Sequence, residues 1–327
     1  MNTKLVIKAL GESRIKAKEL LANHTYFKIG GPADLFFEAT SSVDLTKAVQ
    51  VCLQHEMPFF VLGGGSNILV GDKGFRGLVI KNRADSVKTT SFQGKITRQK
   101  ASINTALVEA ESGALLNKLV RYSIEEGLGG IEVFLSVPGT VGGALYNNSH
   151  YRPEKDEFIG NRLNTATLIT SNGDVNEVNK SYFKFGYDRS ILHQTHETIV
   201  KATFSLTGGD KDKLWQTATD MVRRRNQRQP IGIACSGCTF RNISVADALR
   251  IGTPQHTQSA GYIIDHSGLK GAQIGGAQVS NIHASFIENT GGATARDVLN
   301  LIDKIKTTVY VKFGVKLELE IFLVGEF

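Results

Sequence analysis

Asp34-Leu35-Phe36-Phe37-Glu38-Ala39, Ser41 to Gln54 (SSVDLTKAVQVCLQ), Phe59-Phe60-Val61-Leu62 and Gly77-Leu78-Val79-Ile80 follow one another, and their order decides the fold. The first run reads as a strand. The second reads as an amphipathic helix, with Leu45, Ala48, Val49, Cys52 and Leu53 on one stripe and Ser41 with Asp44 as a capping box at its start. The two short apolar runs that follow have the length of buried strands, so the stretch forms an α/β unit.

Working outward, KITRQKASI (95–103) reads as a further strand, and ALLNKLVRYSIEE (114–126) as a helix with Leu115, Leu116, Leu119, Val120 and Ile124 at helical spacing. Gly127 stands just past its end as a C-cap. TLITSNGDVNEV (167–178) is a hairpin signal, because Asn172-Gly173 suits the two-residue turn that matches strand twist. ETIVKATFSL (197–206) reads as a strand and residues 212–227 as a helix. After Pro230 the sequence shifts to short segments rich in glycine and serine, which marks a domain boundary. A helix over 294–307, with Val298, Leu301, Ile302 and Ile305 on one face, and a final strand KLELEIFLV (316–324) close the chain. There is no internal repeat and no low-complexity tract.

The length of 327 residues suggests two domains or three. With 41% apolar and 21% charged residues the chain is an ordinary globular one that buries a core. Glycine is in excess, 34 residues against 6 prolines, so glycine serves where the backbone must turn or approach something closely. The N-terminus has no signal-like apolar region and no apolar run reaches the length of a membrane span, so the expectation is a cytoplasmic protein without membrane insertion. Three cysteines are too few for a disulfide framework. The net charge of +7 suits a phosphorylated ligand. The densest basic run, Arg223, Arg224, Arg225 and Arg228, is short enough to be a solvated helix face, and no nucleic-acid partner is expected.

Gly63-Gly64-Gly65-Ser66-Asn67 directly follows a buried strand. Such a run can turn amide N–H groups toward an anion, as a pyrophosphate cradle does, and it is equally a tight strand-to-strand turn. Pro138-Gly139-Thr140-Val141-Gly142-Gly143-Ala144 is a second loop of the same character. Two such loops in one α/β region fit a long ligand with a central diphosphate, such as FAD. Cys235-Ser236-Gly237-Cys238 lacks partners at zinc spacing and a helical stripe after it, so no metal is expected and the thiols are one reactive group or two structural ones. Glu318 and Glu320 alternate with Leu317, Leu319 and Ile321, which sets both carboxylates on one face of a strand, either in solvent or in a cleft.

The combination of motifs resembles the UDP-N-acetylenolpyruvoylglucosamine reductases of peptidoglycan synthesis. It comprises Thr25-Tyr26-Phe27-Lys28-Ile29-Gly30-Gly31-Pro32-Ala33, the GGGSN loop, Gly130-Ile131-Glu132 before the second glycine loop, Phe185-Gly186-Tyr187 near an arginine, Gly237-Cys238-Thr239-Phe240-Arg241-Asn242, Ser259-Ala260-Gly261, Asn281 to Phe286, and LELEI. The short interval between Tyr187 and Pro230 is similar to the branch without the long substrate-covering insertion. The resemblance implies an α+β fold, with an FAD-binding fold of two α/β subdomains (PCMH-type) and a C-terminal α+β substrate-binding domain. The boundaries are 1–85, 86–228 and 229–327, with the final strand able to pack on the first subdomain. FAD would be bound non-covalently, NADPH would be the co-substrate, and a UDP-sugar enolpyruvyl ether would be reduced to UDP-N-acetylmuramate. No obligate protein partner is implied.

The cofactor residues implied are Gly63, Gly64, Gly65, Ser66, Asn67, Pro138, Gly139, Thr140, Gly142, Gly143, Ala144 and Asn148, with Asn147 beside it. The family's proton donor, normally serine, falls on Cys238, whose thiol is a stronger acid than a hydroxyl. Its carboxylate falls on Glu320 rather than Glu318. Its arginine falls on Arg189, one place late after Tyr187-Asp188, so either the backbone bulges there or another cation serves. Tyr187, Arg225, Arg228 and Asn242 match substrate-binding positions. Two other classes stay open at this stage. One is a sugar or lactone oxidase on the same FAD fold, and the other a catalytically impaired flavin or nucleotide-sugar binder.

Overall fold

The computed structural model describes residues 3–96, 101–151 and 157–327. The chain divides into two compact units, each assembled from separate segments. The first comprises Met1–Ala17, Leu35–Gly64 and Gly77–Arg225, and the second Lys18–Asp34, Gly65–Arg76 and Asn226–Phe327.

In the first unit the α/β stretch folds as its periodicities dictate. The strands Pro32–Ala39 and Phe75–Asn82, which enter this unit at Leu35 and Gly77, lie in one sheet with Phe59–Leu62. Phe59–Leu62 runs parallel to its neighbour, with Leu62 opposite Lys81. The helix Ser42–Gln54 buries Leu45, Ala48, Val49, Val51 and Cys52 against Leu35, Phe37, Leu78 and Ile80. The larger of these, the leucine, valine, isoleucine and phenylalanine side chains, contribute about 1.5–3 kcal/mol each by leaving water. Ser41 caps the helix through the Asp44 amide at 3.1 Å. The reciprocal half of the expected capping box is absent, because the Asp44 carboxylate accepts from the Thr40 amide and from both terminal nitrogens of Arg14 instead. That guanidinium holds the Asp44 carboxyl well below the usual range.

The rest of the first unit is built on an antiparallel sheet in the order Val175–Asn179, Leu163–Ile169, Thr198–Gly208, Ala101–Glu111, Val87–Ile96, with Leu128–Gly129 also paired to Thr198–Gly208. The helices Leu116–Glu125 and Val141–Tyr146 belong to its core through Leu116, Leu119, Val120, Ile124, Val141 and Leu145. The single strand expected over 95–103 is instead the end of one long strand at Ile96 and the start of another at Ala101, with 97–100 outside the described residues. The hairpin forms with Ile169 opposite Val175. Its turn differs from the expected two-residue type. The Gly173 amide donates to Thr170 O at 3.0 Å and Thr170 N to Asp174 O at 2.9 Å, with positive φ at Gly173 but not at Asn172. This is the longer loop with glycine at its left-handed position.

The second unit packs short strands against helices. Ala234–Cys238, Phe286–Asn289, Ala277–Val279 and Gln273–Ile274 form its sheet in that order. The long helix Ala295–Phe313 continues past Thr307 because Val309 extends the buried row Val298, Leu301, Ile302 and Ile305. Thr294 and Asp297 form a full capping box, and Asp72 accepts from the Ala295 and Arg296 amides at 2.7 and 3.0 Å. The expected final strand is shorter than its alternation suggested. Only Phe322–Val324 is strand, parallel to Ile68–Val70, while Leu319 makes an isolated bridge to Phe240. Among the described residues no helix is long and apolar enough to cross a membrane.

Candidate functional site

In the first unit the two glycine loops touch. A Cβ on Gly63 would lie 2.5 Å from Thr140 Oγ1, and one on Gly64 2.8 Å from Gly139 Cα. Any side chain at Gly64 would therefore meet backbone. The second loop is anchored from behind by hydrogen bonds from Leu116 N to Gly139 O (3.0 Å), Val141 N to Ala114 O (2.8 Å) and Gly142 N to Ser112 O (2.8 Å). Thr140 caps the short helix that follows by accepting from Gly143 N. Gly143 is the open position, since a Cβ there would meet only Thr140 Oγ1, at 3.5 Å. Pro138 and Ala144 flank this loop, and Ala144 is buried. Turn and cradle are thus not exclusive here, because glycines at the first loop are what let the second approach it.

Beneath the first loop lies a residue that the sequence reading passed over. Lys81 is 7% exposed, and its ammonium donates to Gly63 O at 2.5 Å. Among the described residues it has no carboxylate partner. Burial pushes it down to about 8, with repulsion from Arg83 and a smaller opposing pull from Glu38. The one signal was a lysine directly after the apolar run GLVI, at a strand position that should face the interior.

Further along this unit, Asn148 is buried at φ +49°, and its amide is committed to backbone. It donates to Gly186 O at 2.9 Å and accepts from Gly160 N at 3.1 Å. Its neighbour Asn147 instead has a buried Oδ1 with no hydrogen-bond partner among the described residues. The late arginine is explained by a tight turn. Gly186 N donates to Arg189 O at 2.9 Å, and Asp188 takes up the extra residue at φ +47° with its carboxylate turned in, 3.1 Å from His150 Nδ1. Arg189 is left exposed, and the half-buried Tyr187 ring lies 4.9 Å from the His150 ring. Asn148, Tyr187, Phe158, Phe185, Lys180 and Lys184 line a recess of about 400 Å³. Arg225 is half-buried in the last turn of the helix Lys211–Asn226.

In the second unit the remainder of the GGGSN run serves the chain end. Gly65 adopts φ +71°, where a Cβ would lie 2.4 Å from His24 O. Asn67 donates from its side chain to Glu320 O at 3.2 Å and accepts from Phe322 N at 3.0 Å, while Ser66 is half-buried. Cys238 ends the strand Ala234–Cys238, where Gly237 at φ +78° produces a bulge between the pairs Cys235–Glu288 and Cys238–Phe286. The cysteine pair thus sits on a bulged strand, not at a helix start, and no disulfide joins it. Directly after Cys238, Thr239 O accepts from Glu320 N at 2.9 Å, and Arg241 N donates to Glu318 O at 3.0 Å. The two glutamates differ in setting. Glu318 has a side chain 76% exposed and 3.7 Å from Arg241, whereas Glu320 is half-buried. Thr239 Oγ1, buried and without a hydrogen-bond partner among the described residues, lies in the same turn of chain, a residue the family motif contains without a role of its own. Asn242 accepts from Ala260 N at 3.3 Å, and both Asn242 and Arg228 are exposed.

Two family models match the chain. Residues 33–179 match an FAD binding domain, and residues 229–324 match the C-terminal domain of UDP-N-acetylenolpyruvoylglucosamine reductase. A UDP-N-acetylenolpyruvoylglucosamine reductase of Alkaliphilus oremlandii is 36% identical over 99% of this chain and 97% of its own length. The chain belongs to the UDP-N-acetylenolpyruvoylglucosamine reductase family. A reductase of the same description from Clostridium novyi is 35% identical over 97% of this chain and 94% of its own length. The crystal structure of the reductase from Thermus caldophilus superposes with a TM-score of 0.72 at 28% identity, covering 93% of this chain and 97% of that one. Reductases of this family are FAD-binding oxidoreductases, and the fold is accordingly an FAD-binding domain with the family's C-terminal domain.

The residues of the first unit fit such a cofactor. They offer two interlocked glycine loops with an open position at Gly143, a buried cation under the first loop, and a buried acceptor at Asn147.

Proposed function

We propose that this chain catalyses the NADPH-dependent reduction of the enolpyruvyl group of UDP-N-acetylglucosamine enolpyruvate to UDP-N-acetylmuramate, in the cytoplasm, for peptidoglycan precursor synthesis. The observation that carries the reading is the pairing of Glu320 N with Thr239 O at 2.9 Å, one residue from Cys238. A half-buried carboxylate and a thiol are thereby held on neighbouring backbone in the segment that matches the family's C-terminal domain. We assign the three divisions 1–85, 86–228 and 229–327 to two cofactor-binding subdomains and a substrate domain.

FAD, when bound, supplies two-electron transfer from NADPH to the terminal vinyl carbon. The residues Gly63, Gly64, Gly65, Ser66, Asn67, Pro138, Gly139, Thr140, Gly142, Gly143, Ala144 and Asn148 are assigned to holding it, with Asn147 as a further acceptor. Reduction of the vinyl group leaves carbanion character on the carbon beside the carboxylate. Cys238 gives its Sγ proton to that carbon, which completes the new C–H bond and leaves a thiolate to be reprotonated from solvent. Arg189 neutralises the substrate carboxylate, which favours the anionic transition state over the neutral ether. Glu320 orients the reacting end of the substrate. Tyr187, Arg225, Arg228 and Asn242 bind the nucleotide sugar.

The test is an anaerobic cycle on the purified full chain. NADPH should bleach the flavin absorbance, and the UDP-enolpyruvyl sugar should restore it with one equivalent of UDP-N-acetylmuramate formed. Restoration by oxygen alone, with no response to the sugar, would point to an oxidase instead.

A further inference from the structure

We infer that Lys81 is a cofactor-positioning residue, a buried cation that holds the first glycine loop in place through Gly63 and draws the diphosphate of FAD onto it. The inference rests on the FAD assignment of the preceding subsection and names a residue that assignment does not use. Three observations carry it. Lys81 is almost wholly buried on a strand directly after the apolar run Leu78-Val79-Ile80, and its ammonium bonds the carbonyl of the loop residue that packs on Thr140. Among the described residues it forms no ion pair with a carboxylate, and the distant pull of Glu38 is smaller than the cost of its burial. Taking an ammonium out of water without a counter-charge is unfavourable. A structural donor to Gly63 O could be a neutral group at far lower cost.

An anion arriving above the loop changes that balance. The charges that face Lys81 are Arg83, which repels it, and Glu38, which attracts it. Burial favours the neutral amine in the absence of ligand, and a diphosphate favours the ammonium. Cofactor binding is therefore coupled to proton uptake at this side chain. The coupling works in one direction only: affinity falls as the pH rises and the amine loses its proton before FAD arrives.

The experiment compares wild type, Lys81→Met and Lys81→Gln as full chains stripped of flavin. FAD dissociation constants are read by quenching of flavin fluorescence between pH 6.5 and 9.5, and melting temperatures are read without FAD. The expected result is a loss of FAD affinity of about tenfold or more at pH 7 in both variants, in line with a charge-assisted contact. It is accompanied by an unchanged or raised melting temperature in Lys81→Met, since a buried charge has been removed. Wild-type affinity should weaken as the pH rises toward 9.5, with the variants flat by comparison. Wild-type affinity in either variant, or pH profiles that coincide in all three, would overturn the inference. So would a loss of affinity that only tracks a lowered melting temperature. A wild type that takes up no FAD would instead overturn the assignment on which the inference stands.

Discussion

Asn67 donates from its side-chain amide to the backbone carbonyl of Glu320 at 3.2 Å, joining residues separated by 253 positions in the sequence. With Phe322 N on Asn67 O at 3.0 Å, this fixes the chain on both sides of Ile321, so the last residue of the glycine run locates the carboxylate assigned to the substrate. Asn67→Ala leaves Glu320 O without its donor and should lower stability by about 1 kcal/mol. Turnover of the enolpyruvyl sugar should fall about tenfold while bleaching by NADPH keeps its rate. Stopped-flow traces of the two half-reactions check this, and equal slowing of both would assign Asn67 to the cofactor alone.

Gly64 has a different constraint. Because a Cβ there would stand 2.8 Å from Gly139 Cα, the second loop must retreat to admit it. Gly64→Ala should already reduce flavin content, and Gly64→Asp, which adds a negative charge toward the diphosphate, should abolish it. Absorbance of the purified variants reads this directly. The second unit should keep its fold in both, which limited proteolysis followed by mass spectrometry monitors.

These residues show what the sequence makes legible. The strand and helix periods of the α/β stretch, the cap at Ser41, the long helix that begins after Thr294 and the hairpin around Asn172 follow from local chemistry, and the folded chain has them. The longer turn at Gly173, the division of GGGSN between Gly63–Gly64 and Gly65–Asn67, and the early end of the final strand depend on what the chain meets in three dimensions. The family motifs name Cys238, Glu320 and Gly63 but are silent on Lys81, while Asn147 enters only as a neighbour of Asn148 and Thr239 only as part of the Gly237–Asn242 run. Among the described residues Lys81 is marked by burial without a carboxylate partner, and Asn147 and Thr239 each by a buried side-chain oxygen without a hydrogen-bond partner, a property no spacing encodes.

The cysteines make separate predictions. Cys238→Ala should lose activity by about 100-fold to 10,000-fold, the usual worth of one acid-base group. Cys238→Ser should keep much of it, because a hydroxyl can donate the same proton. Cys235→Ser should be nearly silent. Steady-state rates under reducing conditions decide, and equal loss in the two serine variants would favour a dithiol role over proton donation.

Alkaline stability has two opposed contributions in the flavin-stripped chain. Lys81 is held at about 8 against 10.5 in the unfolded chain, so between those values the unfolded state binds more proton and stability rises with pH, by about 3 kcal/mol in all. Cys52 is pushed by burial to about 12 from 9.0, so its contribution is intact below pH 9 and lost as the pH climbs to 12. Denaturant unfolding should therefore show the wild type gaining on Lys81→Met from pH 8 to 10.5. A constant difference across that range would contradict the burial of a charged lysine.

The most direct measurement of the central claim is the rate at which the UDP-enolpyruvyl sugar reoxidises NADPH-reduced enzyme, anaerobically, in Glu320→Gln beside Glu318→Gln. The half-buried Glu320 next to Thr239 should be the sensitive one, with reoxidation slowed by orders of magnitude while reduction by NADPH is unchanged, and the exposed Glu318 should be mild. A sensitive Glu318 with a silent Glu320, or reduced wild type that the sugar fails to reoxidise, would contradict the account.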